Sequence, residues 1–176
     1  MNQMTTNGAH SSDFSAYLKG LSLSDDKSKA EVVLLTCMDF RFFELVAEYM
    51  KRAGLTGKYY HLILAGAALG AVVEEEPAKP DWHKTFFDHL KLAIGFDPIQ
   101  RVIVLEHRGC KAYEKFGVLR PPYTPDRERE VHDEQVGLLR ELIVRDYALP
   151  VESFLLSLKQ DAAAAEESTL TFDQLE

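Results

Sequence analysis

The sequence predicts an α/β domain: a mainly parallel β-sheet of four or five strands flanked by helices. Three observations lead there. Short apolar runs rich in branched residues alternate four times with segments whose apolar residues recur at helical spacing. The apolar runs are continuous rather than alternating, as in strands buried on both faces of a parallel sheet. A chain of 176 residues, 46% hydrophobic and 27% charged, is the size and mix of one globular domain with a core of its own.

In chain order, residues 1–30 read as an N-terminal tail and helical arm, with Phe14, Tyr17, Leu18 and Leu21 forming a short amphipathic stripe. Residues 31–160 carry the α/β rhythm. The run from Glu31 to Cys37 is the first strand, and Phe42, Leu45, Val46, Tyr49, Met50 and Ala53 mark a helix stopped by Gly54. Tyr60 to Ala65 is the second strand. Asp81 stands at an N-cap position before the stripe Trp82, Phe86, Leu90 and Ile94, which reads as core packing. Arg101 to Glu106 is the third strand. A helix from about Arg127 to Ala148 follows the proline-rich loop Gly117 to Asp126, and Ser153 to Leu158 is the fourth strand. The segment Val72 to Pro80, with Glu74, Glu75 and Glu76, reads as a solvated loop, and residues 161–176 as an acidic C-terminal tail.

The formal net charge of −8 opposes phosphate backbones and anionic lipid, so neither nucleic acid nor membrane is expected as a partner. No apolar run approaches the roughly 20 residues of a spanning helix. The polar N-terminus lacks the features of a signal peptide, so the expected compartment is the cytoplasm. In that reducing setting the two cysteines, Cys37 and Cys110, are not expected to form a structural disulfide. Composition leaves them as buried fillers, a redox pair or metal ligands.

Position along the chain says more. Right-handed crossovers put the C-terminal ends of parallel strands on one edge of the sheet, where open α/β folds bind their ligands. The first strand ends in Cys37-Met38-Asp39-Phe40-Arg41 and the third in His107-Arg108-Gly109-Cys110, so both cysteines lie at that edge. Two thiolates and an imidazole suit Zn²⁺, and three protein ligands leave a tetrahedral position open, as in catalytic sites. Asp39 and Arg41 alternate with Cys37 and point to the same side if the segment is extended. There Asp39 can orient a zinc-bound water or take the fourth position itself, with Arg41 holding it by a bidentate pair. The chemistry expected is attack of hydroxide on a small electrophilic carbon. Phe40, Phe42 and Tyr113 are candidates to line the pocket of a small nonpolar substrate.

Cys-x-Asp-x-Arg after the first strand and His-x-x-Cys after a later one resemble the β-class carbonic anhydrases, over a stretch from about Glu31 to Leu158. The resemblance implies Zn²⁺ held by Cys37, His107 and Cys110, with Asp39 and Arg41 as the catalytic dyad. It implies a parallel sheet with an N-terminal helical arm, a homodimer or dimer-based oligomer, and reversible hydration of CO2 to bicarbonate. Alternatives on the same fold are hydrolysis of COS or CS2 at that zinc site, or a non-catalytic zinc-binding relative. Leu64-Ala65-Gly66 stands where the family has Asn-Ala-Gly, and Met38 and Phe40 stand where it has serines. Glu106 and Lys111 replace glycines that flank the family's His-x-x-Cys, and Lys111 is strained if the backbone there needs a positive φ. His61, His83 and His89 carry no expected role, and His132-Asp133-Glu134 reads as a solvated helix face.

Overall fold

The computed structural model describes residues 29–72, 81–160 and 168–175. Five strands, β1 (Val32–Thr36), β2 (Tyr59–Ile63), β3 (Arg101–His107), β4 (Val151–Gln160) and β5 (Ser168–Gln174), form one sheet. The helices are α1 (Phe43–Arg52), α2 (Ala68–Val72), α3 (Trp82–Phe96), α4 (Lys111–Lys115) and α5 (Pro125–Tyr147), with a 3-10 turn at Phe40–Phe42. The strand order is β2-β1-β3-β4-β5. The first four strands are parallel, and β5 runs antiparallel along β4. The predicted α/β class with a mainly parallel, helix-flanked sheet is the observed architecture. The predicted helical arm at 13–21 and the acidic loop at 73–80 lie outside the described residues.

The continuous apolar runs have the cause inferred from the sequence. Val33 and Leu35 of β1 and Val102 and Val104 of β3 face α2, α3 and α5, packing on Phe86, Leu90, Val136, Leu139 and Ile143. Val32 and Leu34, with Ile103 and Leu105, face the opposite way onto Phe42, Val46 and Met50. Side chains alternate along a strand, so a layer on each side of the sheet favours the unbroken apolar run Val32 to Leu35 in β1.

Two local expectations are corrected. Asp81 does precede α3, but its backbone is left-handed (φ 62°) and its side chain makes no cap; its carbonyl accepts the Thr85 N–H at 2.7 Å instead. The working N-cap is Thr124, whose hydroxyl accepts the Arg127 N–H at 3.1 Å with Pro125 in the first turn of α5. Residues 168–174, placed by sequence in the acidic tail, form β5. Its end is held where Leu175 N–H donates to the Ser153 carbonyl at 3.0 Å and Ser153 Oγ donates to the Leu175 carbonyl at 3.1 Å.

Candidate metal centre

The strand order reverses at β1, which has β2 on one side and β3 on the other. The C-terminal ends of β1 and β3 therefore flank the crevice where a doubly wound sheet opens to ligands. Cys37 is the first residue beyond β1, His107 the last of β3, and Cys110 the cap of α4.

Each ligand candidate is aimed by its own backbone. Gly109 takes φ +67°, a conformation that reverses the chain quickly enough for His107 and Cys110 to face one point. The turn is held from α5: Gly109 N–H donates to Glu128 Oε1 at 2.6 Å, and Arg108 Nη1 donates to Glu128 Oε2 at 3.2 Å and to the Pro125 carbonyl at 2.9 Å. Lys111 enters α4 without a positive φ, so the strain expected there is absent; Gly109 carries the left-handed position of this loop. Gly66 (φ +76°) brings its N–H to 3.3 Å from Cys37 Sγ, donating to the sulfur.

The three donor atoms converge. Cys37 Sγ and Cys110 Sγ are 3.8 Å apart, and both sulfurs and an imidazole nitrogen of His107 lie within 4.8 Å of one another. This is the one group of three or more Cys, His, Asp or Glu donors so gathered among the described residues. Two sulfurs on one tetrahedral ion with bonds of about 2.3 Å stand about 3.8 Å apart. A disulfide needs about 2.05 Å, and both cysteines are free thiols.

His107 supplies a second test of fit. Its Nδ1 lies 3.0 Å from the Arg108 carbonyl, so Nδ1 carries the hydrogen and Nε2 is left with a lone pair. That Nε2 is buried and has no hydrogen-bond partner among the described residues. An orphaned, desolvated acceptor costs about 1–3 kcal/mol unless something binds it. Phe42 packs against the same ring, 4.6 Å between centroids, and fixes its plane. The residues present could hold a metal ion.

Proton sharing prepares the sulfurs. The contact with the Cys110 sulfur, with help from the Gly66 N–H, holds the Cys37 thiol far below its ordinary value against the effect of burial. The same contact, with burial, pushes Cys110 up.

Asp39 and Arg41 reach the site by a route the sequence did not suggest. The segment is not extended: Asp39 caps the 3-10 turn, accepting the Arg41 N–H at 3.1 Å, and this folds Arg41 back over the carboxylate. Arg41 Nε donates to Oδ1 at 2.9 Å and Nη2 to Oδ2 at 2.6 Å, a two-pronged clasp. Asp39 Oδ2 lies 3.8 Å from His107 Nε2. The Arg41 hydrogen bonds hold the Asp39 carboxyl below the usual carboxylate range, so at neutral pH it is an acceptor.

The predicted pocket-lining residues separate. Phe40 is 81% exposed; Phe42 is buried beneath His107; Tyr113 is fully buried with its hydroxyl donating to Glu106. His132 overturns its reading as part of a solvated face, being fully buried with Nδ1 at 3.0 Å from Glu106 Oε2. The signal was in the spacing. His132, Val136, Leu139 and Ile143 fall at i, i+4, i+7 and i+11, the buried stripe of α5. His61 Nε2 bonds Thr36 Oγ1 at 2.8 Å, His83 Nδ1 the Ala71 carbonyl at 2.7 Å, and His89 Nδ1 the Thr85 carbonyl at 2.8 Å, all outside the cluster.

Comparison with known proteins accords with this architecture. No family model matches the chain. An uncharacterized protein of Rickettsia bellii is 31% identical over 132 residues, 74% of this chain and 79% of that protein. One from Rickettsia conorii is 26% identical over 132 residues, 74% of this chain and 69% of its own length. Among solved structures, a β-carbonic anhydrase isoform of Trichomonas vaginalis superposes with TM-score 0.51 and 13% identity, covering 92% of this chain and 93% of that one. The carbonic anhydrase of Streptococcus mutans gives TM-score 0.51 at 17% identity, covering 90% and 91%. That of Glaciozyma antarctica gives 0.51 at 14%, covering 97% and 99%. The chain thus belongs to one family with the Rickettsia bellii protein, and its fold is that of the β-carbonic anhydrases.

Proposed function

We propose that this protein is a zinc enzyme that hydrates CO2 reversibly to bicarbonate. The observation that carries the reading is the convergence of Cys37, His107 and Cys110 on one point, with the lone pair of His107 Nε2 buried and unpartnered. Two sulfurs and one imidazole are a zinc donor set with a vertex to spare. A zinc ion there supplies the Lewis acidity that makes water a usable nucleophile near neutral pH.

The chain's own groups do the rest. Asp39 is ionised, clasped by Arg41 and 3.8 Å from His107, so its Oδ2 accepts a hydrogen bond from the attacking water and turns it toward the substrate. Arg41 keeps that oxygen from rotating away. Phe42 holds the imidazole plane from below, and the near-complete burial of Cys37, His107 and Cys110 keeps competing solvent off the ligands. We place the protein in the cytoplasm, whose reducing poise keeps both thiols free, and expect it to act as a homodimer.

The test is stopped-flow hydration of CO2 on zinc-loaded protein, with COS and CS2 assayed in parallel. The expected result is turnover on CO2 that disappears in Cys37→Ser together with the metal, and in Asp39→Ala with zinc retained. Turnover confined to COS or CS2 transfers the same site to the sulfur substrates. Bound zinc with no turnover on any of the three between pH 7 and 9 makes the protein a non-catalytic zinc binder and refutes the enzyme reading.

A further inference from the structure

We infer that Glu106 is a positioning residue of the metal centre: through Ala68, Tyr113 and His132 its buried carboxylate sets where the two cysteine sulfurs stand. It thereby governs how tightly and in what geometry they hold a metal. The inference rests on the metal-binding reading of Cys37, His107 and Cys110.

Glu106 and His107 are neighbours on β3 and so point to opposite faces of the sheet. His107 faces the crevice. Glu106, with no solvent exposure, faces the layer of α2 and α5. A carboxylate buried alone costs several kcal/mol. Here it is met by three donors: Ala68 N–H at 2.7 Å on Oε1, and Tyr113 O–H at 3.3 Å with His132 Nδ1 at 3.0 Å on Oε2.

Each donor belongs to a piece of chain that aims a ligand. Ala68 opens α2 two residues after Gly66, whose N–H rests on Cys37 Sγ. Tyr113 stands one turn into α4, its N–H bonded to the Cys110 carbonyl at 3.1 Å, and shares an apolar cluster with both cysteines and Leu69. His132 lies one turn along α5 from Glu128, which grips the Gly109 turn between the other two ligands. The Tyr113 and His132 rings pack at 4.0 Å between centroids, so the acid, phenol and imidazole form one unit. One side chain thus ties the Cys37 turn, the Cys110 helix and the helix behind them to the strand that carries His107. No other described carboxylate joins all three.

The test uses Co²⁺ as probe on the full chain. Dissociation constants for Co²⁺ and Zn²⁺ are measured by chelator competition, with visible spectra of the cobalt complexes and thermal midpoints of the metal-free proteins. Glu106→Gln keeps the size but sets an amide N–H2 against a donor. It is expected to bind cobalt about 10–100-fold more weakly, the usual effect of losing a group that orients metal ligands, and to shift the visible bands. Tyr113→Phe deletes one donor without changing the packing. It is expected to move both readouts in the same direction by less, and it decides the question should Glu106→Gln fail to fold. A lower metal-free midpoint with unchanged cobalt affinity and spectrum would overturn the inference, leaving Glu106 a prop of the fold alone. Wild-type protein that takes up no cobalt and no zinc overturns the metal reading itself and this inference with it.

Discussion

Replacing Gly66 by alanine separates the cost of backbone conformation from the cost of disturbing the site, because Gly54 supplies a matched control. The two glycines have nearly equal φ, +76° and +72°. An L-residue in that region costs about 1–2 kcal/mol, offset by about 0.4–1 kcal/mol from the stiffer unfolded chain, and both amounts cancel between the variants. The surroundings do not cancel. A Cβ on Gly54 meets nothing within 4 Å, whereas one on Gly66 meets Ala112 Cβ at 3.2 Å and Leu69 Cβ at 3.3 Å. Crowding of that kind adds roughly 1–3 kcal/mol. Gly66→Ala is therefore expected to lie below Gly54→Ala by roughly 1–3 kcal/mol in metal-free urea unfolding, or roughly 2–12 °C in thermal midpoint. The side chain also pushes the Gly66 N–H off Cys37 Sγ, a hydrogen bond to a charged group worth roughly 1.5–3 kcal/mol. Metal affinity should fall about tenfold or more in Gly66→Ala and hold in Gly54→Ala. Equal midpoints and equal metal affinities in the two variants would refute the reasoning.

Other perturbations act on separable parts. Stripping the metal with a chelator should lower the thermal midpoint, since a ligand at 100 times its Kd adds about 2.7 kcal/mol, or roughly 5–11 °C for a chain of this length; differential scanning calorimetry with and without zinc reads it, and Cys37→Ser should show no such shift. Phe86 is 1% exposed in the cluster beneath α3, away from the ligands. Phe86→Ala should cost about 3–5 kcal/mol in urea unfolding while the zinc dissociation constant stays put. Arg41→Ala frees the Asp39 carboxylate and should reduce CO2 turnover while zinc content, measured by atomic emission, is retained.

The parts of the fold fixed by burial were legible. β1 and β3 announce themselves as continuous apolar runs, Val32 to Leu35 and Val102 to Leu105, because layers on both sides bury successive residues; α5 was read from Val131, Leu138, Leu139, Leu142 and Ile143, of which Val131, Leu139 and Ile143 are buried and Leu138 is exposed. The gathering of Cys37, His107 and Cys110 at one place was legible because the sheet edge narrows where chemistry can sit. What escaped depended on tertiary partners. His132 looks like surface beside Asp133 and Glu134, and only the carboxylate arriving from β3 makes its burial affordable. Glu106 reads as a misplaced charge until its three donors from separate elements are assembled. Asp39 and Arg41 were placed at the right edge on an extended segment, but Asp39 bonding its own chain two residues on makes a turn, a local competition that residue type permits and periodicity does not reveal. β5 is a short polar edge strand, where alternation in Thr169, Leu170, Thr171 and Phe172 is too brief to outweigh the acidic composition around it.

The most direct measurement is X-ray absorption at the zinc edge of the full chain, alongside the wild-type metal stoichiometry. Two sulfurs at about 2.3 Å and an imidazole nitrogen at about 2.0–2.1 Å are predicted, with one sulfur lost in Cys110→Ser. A shell of oxygen and nitrogen alone, or a mass two hydrogens light from a bond between Cys37 and Cys110, would contradict the account.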